Sequence, residues 1–132
     1  MDLEVLNIAA NTDNNRNIEN RTHVSKLKNS ICGDEMQIEL VLKNKKILDF
    51  GYQGKSCVYC LASASLLSKI SINNQKDKIN NLCDEVEFYF DDTVKISDKE
   101  WNSLKKIIKK KNVNKKDCIL LPFKTLKKIV SS

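Results

Sequence analysis

The fold of this chain is organised around residues 54–68, which read GKSCVYCLASASLLS. A glycine-containing bend leads to Cys57, and the small and apolar residues after it predict a helix over 61–70 that is buried against a sheet. A thiol at the start of a helix meets unpaired backbone N–H groups and the positive end of the helix dipole, which favour the thiolate. Because thiolates bind metal ions and accept sulfur, we interpret Cys57 as the centre of the functional site.

The residues before this stretch predict a β-hairpin. Residues 35–43 alternate between apolar and polar side chains, which indicates a half-buried strand. A polar turn follows at 43–46, and the alternation resumes over 48–52. Residues 35–52 therefore form two antiparallel strands in this interpretation.

The hairpin geometry predicts where its open end lies. If Asn44 and Lys45 are the two central turn residues, paired positions sum to 89, and Cys32 lies opposite Cys57. A register slip of one or two residues would still leave Cys32 and Asp34 beside Cys57. The sequence thus predicts that these three residues meet at one end of the sheet.

We predict one α+β domain over 1–132: a small antiparallel sheet of about three strands with helices packed on one face. Residues 1–24 include a polar, asparagine-rich segment and form a candidate mobile N-terminal arm. Further helices are predicted over 75–90, over 97–108 from a capping box, and after Cys118, with Pro122 in the first turn. A short helix capped by Asp2 is also predicted, with Leu3 and Leu6 sharing its apolar face. The side chains expected to face the core are Cys83, Trp101, Leu104, Ile108, Leu121, Leu126, Ile129 and Val130.

Composition restricts the class of protein. With 132 residues, 41% hydrophobic and 30% charged, the chain suits a soluble globular domain with a real core. Its five cysteines, an odd number, favour reduced thiols over a secreted disulfide framework. The chain has no run of apolar residues long enough to cross a bilayer and no signal-peptide pattern at its start, so we expect a cytoplasmic protein.

The net charge of +6 suggests an acidic partner, an anionic cofactor or nucleic acid. Lysines are concentrated over 105–116, where they could contact phosphate or simply form a solvated face. Base-stacking aromatic residues are few, so we do not expect nucleic acid as the partner. A basic interaction or nucleic-acid-binding module with a structural zinc is nevertheless the third hypothesis for the function.

Three cysteines lie at the edges of predicted elements and are candidate metal ligands. Together with Asp34, the thiols of Cys32, Cys57 and Cys118 would form a site of three sulfurs and one oxygen. Thiolate-rich tetrahedral sites suit zinc or iron–sulfur clusters. The alternative for any one of these cysteines is a buried, inert small hydrophobic residue.

The other candidate residues are assigned differently. Cys60 is one helical turn from Cys57, and it could be a fourth sulfur ligand, a resolving thiol for persulfide exchange, or part of the core. Cys83 lies on the inward stripe of its helix, and we expect it to be core. His23 is the only histidine and is expected to be solvated.

The order of these features resembles the IscU/SufU/NifU family of iron–sulfur cluster assembly scaffolds. The resemblance rests on Cys32-Gly33-Asp34, the hairpin, Cys57 with the 62–65 Ala-Ser-Ala-Ser run, and the distant Cys118. It implies an IscU/SufU-like fold and places the ligands of a transient [2Fe–2S] cluster on Cys32, Asp34, Cys57 and Cys118. It also implies iron binding, sulfur received as persulfide from a cysteine desulfurase, and delivery of the cluster to acceptor apo-proteins. Such a protein is a scaffold and not an enzyme.

The chain also departs from the family pattern. Asp117 stands where the IscU branch has a histidine, and the chaperone-binding Leu-Pro-Pro-Val-Lys stretch is absent, which puts an Hsp70-type partner in doubt. The interval from Cys57 to Cys118 is nearer to the SufU branch. The second hypothesis is therefore a zinc-dependent, SufU-like sulfur acceptor in which Cys118 carries the persulfide.

Overall fold

The computed structural model describes residues 3–30, 33–92 and 103–131. The elements are α1 (Leu3–Ala9), β1 (His23–Lys28), β2 (Glu35–Lys43), β3 (Lys46–Gln53), α2 (Val58–Ser71), α3 (Lys76–Asp92) and α4 (Lys116–Val130), with 3₁₀ helices at Leu104–Lys106 and Lys110–Lys115. The three strands form one antiparallel sheet in the order β1-β2-β3. The predicted α+β architecture is thus confirmed. No helix among the described residues is both long enough and apolar enough to span a bilayer.

The β2–β3 hairpin is confirmed, but its predicted register is wrong beyond the turn. Both central residues of the Asn44–Lys45 turn have positive φ, at 53° and 64°, as a type I′ turn requires. The first two pairs, ending with Leu42 opposite Ile47, follow the predicted register. From Val41, which pairs with Asp49, the register shifts by one residue. A bulge on β3 causes the shift, and no hydrophobic alternation announces such an extra residue.

Apolar strand residues and three helices build the core. Met36, Ile38 and Leu40 of β2 are fully buried, as the alternation predicts. Helices α2 and α4 lie against the sheet and against each other, and α3 packs on α4. The Ala-Ser-Ala-Ser run at 62–65 of α2 is buried throughout, since small side chains let neighbouring backbone come close.

Helix α4 begins earlier than predicted. It starts at Lys116, so Cys118 lies inside the first turn and Pro122 is the seventh helical residue instead of a first-turn residue. A proline in a helix interior removes one backbone hydrogen bond and costs about 3 kcal/mol. Ten residues of α4 are buried, and this packing outweighs the local cost. The predicted apolar face is confirmed: Leu121, Leu126, Ile129 and Val130 are buried.

The helix predicted over 97–108 is wrong where it can be compared. Ser97, Glu100 and Trp101 lie outside the described residues, and the described part forms 3₁₀ turns broken at Lys109, whose backbone is extended. The buried side chain of Asn112 donates to the Ile107 carbonyl (2.7 Å), a bond that competes with continued helix. Leu104 and Ile108 do face the core, as predicted.

The first helix turns a different face inward from the one predicted. Val5 is fully buried, whereas Leu3 is 74% exposed and Leu6 is 38% exposed. Asp2, its predicted cap, lies outside the described residues. A seven-residue helix is too short for its apolar pattern to define a face uniquely, and tertiary contact decides which side is buried.

The described part of the 1–24 segment contacts the domain. The Asn14 carbonyl accepts a hydrogen bond from the Tyr52 N–H (3.0 Å). The Ile18 N–H donates to the buried carboxylate of Glu39 (3.0 Å), and Ile18 itself is buried. The last residues of the segment enter β1. The mobility of this arm stays a prediction.

Candidate metal centre

Three of the four predicted ligands converge on one point. A carboxylate oxygen of Asp34 and the sulfurs of Cys57 and Cys118 all lie within 4.8 Å of one another. No other group of this kind, with at least three cysteine, histidine or acidic side chains, occurs within residues 3–30, 33–92 and 103–131. Cys32 lies outside the described residues, so its place beside Cys57 stays a prediction.

The loop between β1 and β2 positions Asp34. Gly33 has a φ of +78°, a left-handed conformation that glycine adopts without steric cost. The loop is closed by hydrogen bonds from the Gly33 N–H to the Asn29 carbonyl (2.8 Å) and from the Asn29 N–H to the Asp34 carbonyl (2.7 Å). One carboxylate oxygen of Asp34, Oδ2, is buried and has no hydrogen-bond partner within residues 3–30, 33–92 and 103–131. A buried oxygen in this state is costly unless a cation is bound, so Asp34 fits a metal-ligand role.

The bend before α2 ties Cys57 to the strand that follows Asp34. The Glu35 N–H donates to the Lys55 carbonyl (2.9 Å), and the Ser56 hydroxyl donates to the Glu35 carbonyl (2.7 Å). A Cβ on Gly54 would lie 2.0 Å from the Glu35 carbonyl oxygen, so only glycine lets the two backbones approach this closely. Cys57 is the N-cap of α2, and its side chain makes no capping hydrogen bond. The Cys57 sulfur therefore does not cap the helix.

The third residue, Cys118, is held by contacts between α2 and α4. Cys118 is only 7% exposed. One residue further on, the Ile119 carbonyl accepts a buried hydrogen bond from the Ser63 hydroxyl of α2 (2.6 Å). On the outer side, the Lys115 ammonium lies 5.9 Å from the centre of the Tyr59 ring, a cation–π contact between the starts of the two helices. Both thiols thus sit at helix N-termini, whose dipoles favour the negative charge of thiolate ligands.

The structure also places the other candidate residues. Cys60 is fully buried in the core and does not belong to the three-residue group, which matches the core alternative. Cys83 is core, as predicted, and burial raises the pKa of its thiol far above the ordinary value, with a further rise from the charges of Glu87 and Asp84. His23 is exposed at the start of β1, as predicted.

Sequence reasoning missed the residues that position the ligands. The Ser63 hydroxyl and the Ser56 hydroxyl each bond a carbonyl next to a ligand, yet nothing in the pattern distinguishes them from other small helix or loop residues. Gly54 carried a signal, since a glycine just before a predicted site often marks close backbone approach.

Three nearby donors, two sulfurs and one oxygen, define the chemistry that this point supports. Two donors bound to a tetrahedral zinc ion at about 2.3 Å each lie about 3.8 Å apart, and donors that all lie within 4.8 Å of one another are compatible with one ion. Thiolate and carboxylate donors also suit iron in a cluster. The residues present therefore fit a metal ion or a small iron–sulfur cluster.

Sequence comparison identifies relatives of this chain. A family model described as the NifU-like N-terminal domain matches residues 2–127. An uncharacterized protein of Borreliella burgdorferi is 32% identical over 122 residues, which are 90% of this chain and 82% of that protein. The iron–sulfur cluster assembly scaffold protein IscU of Thermotoga maritima is 31% identical over 70 residues, which are 53% of this chain and 49% of that protein.

Solved structures share the fold. The N-terminal part of a NifU-like protein from Brucella abortus superposes with a TM-score of 0.88 at 16% identity, covering 98% of this chain and 91% of that one. A putative iron–sulfur cluster assembly scaffold protein for the SUF system from Fervidobacterium islandicum gives 0.87 at 22% identity, covering 96% and 93%. Since the family model spans nearly the whole sequence, this chain belongs to the NifU-like N-terminal domain family.

Proposed function

We propose that this protein is an assembly scaffold that holds a transient [2Fe–2S] cluster on Cys32, Asp34, Cys57 and Cys118. The observation that carries the proposal is the convergence of Asp34, Cys57 and Cys118 within 4.8 Å, although they are far apart in the chain. Membership of the NifU-like family and the names of the IscU and SUF-system relatives support the same function. The cluster in this proposal is cargo and not a resident cofactor.

Each group has a role that follows from its chemistry. A thiolate, with Cys118 as the leading candidate, accepts sulfur as persulfide from a cysteine desulfurase, and an outside reductant supplies the electrons that convert it to sulfide. Cysteine sulfurs hold the iron atoms firmly. Asp34 is a harder and weaker ligand than a thiolate, so it leaves one edge of the cluster labile. Lability suits a protein that must release its cargo to acceptor apo-proteins.

The proposal extends to the cellular compartment of the protein. Within the part of the chain that the structure describes, the cysteines at 57, 60, 83 and 118 are reduced and form no disulfide. Reduced cysteines persist in reducing compartments, so we place the protein in the cytoplasm. The cluster is handed over whole, so the protein acts as a scaffold and does not turn over a substrate as an enzyme does.

A zinc-dependent sulfur acceptor is the second candidate. Three sulfurs and one oxygen form a closed tetrahedral set of the kind that zinc prefers, and the observed spacing of the donors is close to what one ion needs. In that case zinc would stay bound, and Cys118 would carry the persulfide from the desulfurase.

Metal analysis after anaerobic purification separates these two functions. For the scaffold, reconstitution with iron and sulfide should give visible charge-transfer absorption in the wild type and in Cys83→Ala, a control that removes a core sulfur. The same absorption should be lost in Cys57→Ala and Cys118→Ala. Tightly held zinc that iron cannot replace would instead support the acceptor. Steeply salt-dependent binding of DNA or RNA, with no iron uptake, would contradict both.

The role of Asp34 has its own test. Asp34→Ala removes the hard ligand, so we expect the reconstituted cluster to persist longer in the presence of a chelator than it does in the wild type. Decay of the visible absorption measures that lifetime. Faster cluster loss in the variant would contradict a labilising role for this carboxylate.

A further inference from the structure

A cleft opens between the β1–β2 loop and α4, beside the metal centre. Its volume is about 250 Å³, which is room for about eight water molecules at about 30 Å³ each. The polar and apolar side chains that line it include Lys28, Asn29, Ser30, Asp117, Leu121 and Lys124. It is thus the size of a small metabolite and not of a peptide.

Each wall of the cleft contains a residue that is adjacent or hydrogen-bonded to a residue of the metal centre. On α4, Asp117 precedes Cys118, and Leu121 is three residues beyond it, on the neighbouring part of the same helix surface. On the opposite wall, the Asn29 N–H bonds the carbonyl of Asp34. The cleft therefore adjoins Cys118 along α4 and, through this backbone hydrogen bond, the Asp34 end of the loop.

The charges of the cleft match a zwitterion. Lys28 and Lys124 are cationic, and Asp117 is anionic. Lys28 makes only a distant, exposed pair with Glu35 (4.0 Å), while neither Lys124 nor Asp117 forms an ion pair within the described chain. Two cations suit an α-carboxylate, and one carboxylate suits an α-ammonium group.

We propose that this cleft binds the amino-acid end of free cysteine persulfide and presents its outer sulfur to Cys118. The proposal rests on the proposed function, because it concerns sulfur loading of the same site, and it adds free cysteine persulfide as a second donor beside the cysteine desulfurase. Cysteine persulfide has about as many non-hydrogen atoms as the cleft can hold water molecules, and it carries both charges that the cleft complements. A persulfide on a protein side chain lacks the free carboxylate and ammonium groups.

The transfer balances without an outside oxidant. The Cys118 thiolate attacks the outer sulfur of the donor, a new S–S bond forms at Cys118, and the S–S bond of the donor breaks. The electron pair of the broken bond leaves with the inner sulfur as the thiolate of free cysteine. The proton on the outer sulfur stays with it, so Cys118 becomes a persulfide.

The test uses the full, reduced chain under anaerobic conditions and two donors. One is cysteine persulfide, and the other is the persulfide of N-acetylcysteine methyl ester, which carries neither charge. The rate at which Cys118 gains one sulfur is measured by mass spectrometry after alkylation. Lys124→Ala and Asp117→Asn should each slow transfer from the charged donor about three- to ten-fold, the loss expected for a partly exposed charged contact. Transfer from the uncharged donor should not change.

Lys128→Ala is the matched control, since Lys128 is an exposed lysine one turn further along α4. It should leave both rates unchanged. Equal slowing by Lys128→Ala, or equal rates with the two donors in the wild type, would overturn the cleft assignment and leave cluster assembly intact. A wild type that takes sulfur from neither donor and forms no cluster would instead overturn the proposed function, and the cleft assignment with it.

Discussion

Replacing Gly54 with alanine should loosen the metal centre without altering any ligand. The added Cβ would lie 2.0 Å from the Glu35 carbonyl oxygen and 2.8 Å from its carbon, and both are backbone atoms. Ordinary contact begins at 3.4 Å, so the bend must move away from β2 by about 1.4 Å. Backbone atoms cannot rotate aside as the end of a flexible side chain does.

The cost follows from the contacts that this movement breaks. The bond from the Glu35 N–H to the Lys55 carbonyl and the bond from the Ser56 hydroxyl to the Glu35 carbonyl both span the gap. At about 1 kcal/mol each, their loss lowers the free energy of unfolding by about 2 kcal/mol. Cys57 moves with the bend and away from Asp34, so metal affinity should fall about 10- to 100-fold, as it does when outer-shell support is removed.

Urea unfolding followed by circular dichroism measures the first effect, and zinc competition with a chromogenic chelator measures the second. Gly51→Ala is the matched control, because its Cβ would meet the Arg16 carbonyl oxygen at 2.4 Å, in the N-terminal segment. That variant should be destabilised but should keep its zinc affinity. If Gly54→Ala kept both the wild-type urea midpoint and the wild-type affinity, the close approach would not position the site.

Two further predictions concern the interior. Ser63→Ala removes the buried hydrogen bond to the Ile119 carbonyl and should lower the free energy of unfolding in urea by about 1–2 kcal/mol. Ser25→Ala, the control in the largely exposed strand β1, should lower it by much less. Equal effects of the two substitutions would show that the bond is not stabilising. Burial holds the pKa of Cys83 above its ordinary 9.0, so above about pH 9 the unfolded chain releases a proton that the folded chain keeps. The free energy of unfolding should therefore fall with rising pH there, by up to about 1.4 kcal/mol per pH unit from this group, and Cys83→Ala should show a shallower fall between about pH 8 and about pH 10. An unchanged slope in that variant would contradict the assigned cause.

Much of the fold was predictable because it is local. Alternation over 35–43 and 48–52 identified the hairpin, and helical periodicity identified α2, α3 and the apolar face of α4. The predictions were wrong where tertiary packing outweighed the local conformational preference of the sequence. Because α4 is buried, this helix begins at Lys116, before Cys118, and continues through Pro122. The Asn112 side chain bonds the Ile107 carbonyl and so competes with the helix expected over 97–108.

The site was predictable only in part. A cysteine ahead of a helix and a hairpin that returns to it placed Asp34 near Cys57 from sequence spacing alone. The residues that hold them there, among them Gly54, Ser56 and Ser63, were not predictable, because each acts through a backbone carbonyl of a distant residue. The type of a side chain does not predict which distant carbonyl it will contact in the folded chain.

Amino-acid order alone specifies the alternating strands, the helix after Cys57 and the donor types available to a metal. The packing of the folded chain brings Cys118, 61 positions beyond Cys57, to the same point, shifts the hairpin register by one residue and forms a charged cleft beside the site. The difference lies in the distance along the chain over which each effect acts. Periodicity and turn chemistry act over a few residues, whereas convergence of distant side chains depends on how whole helices and a sheet pack.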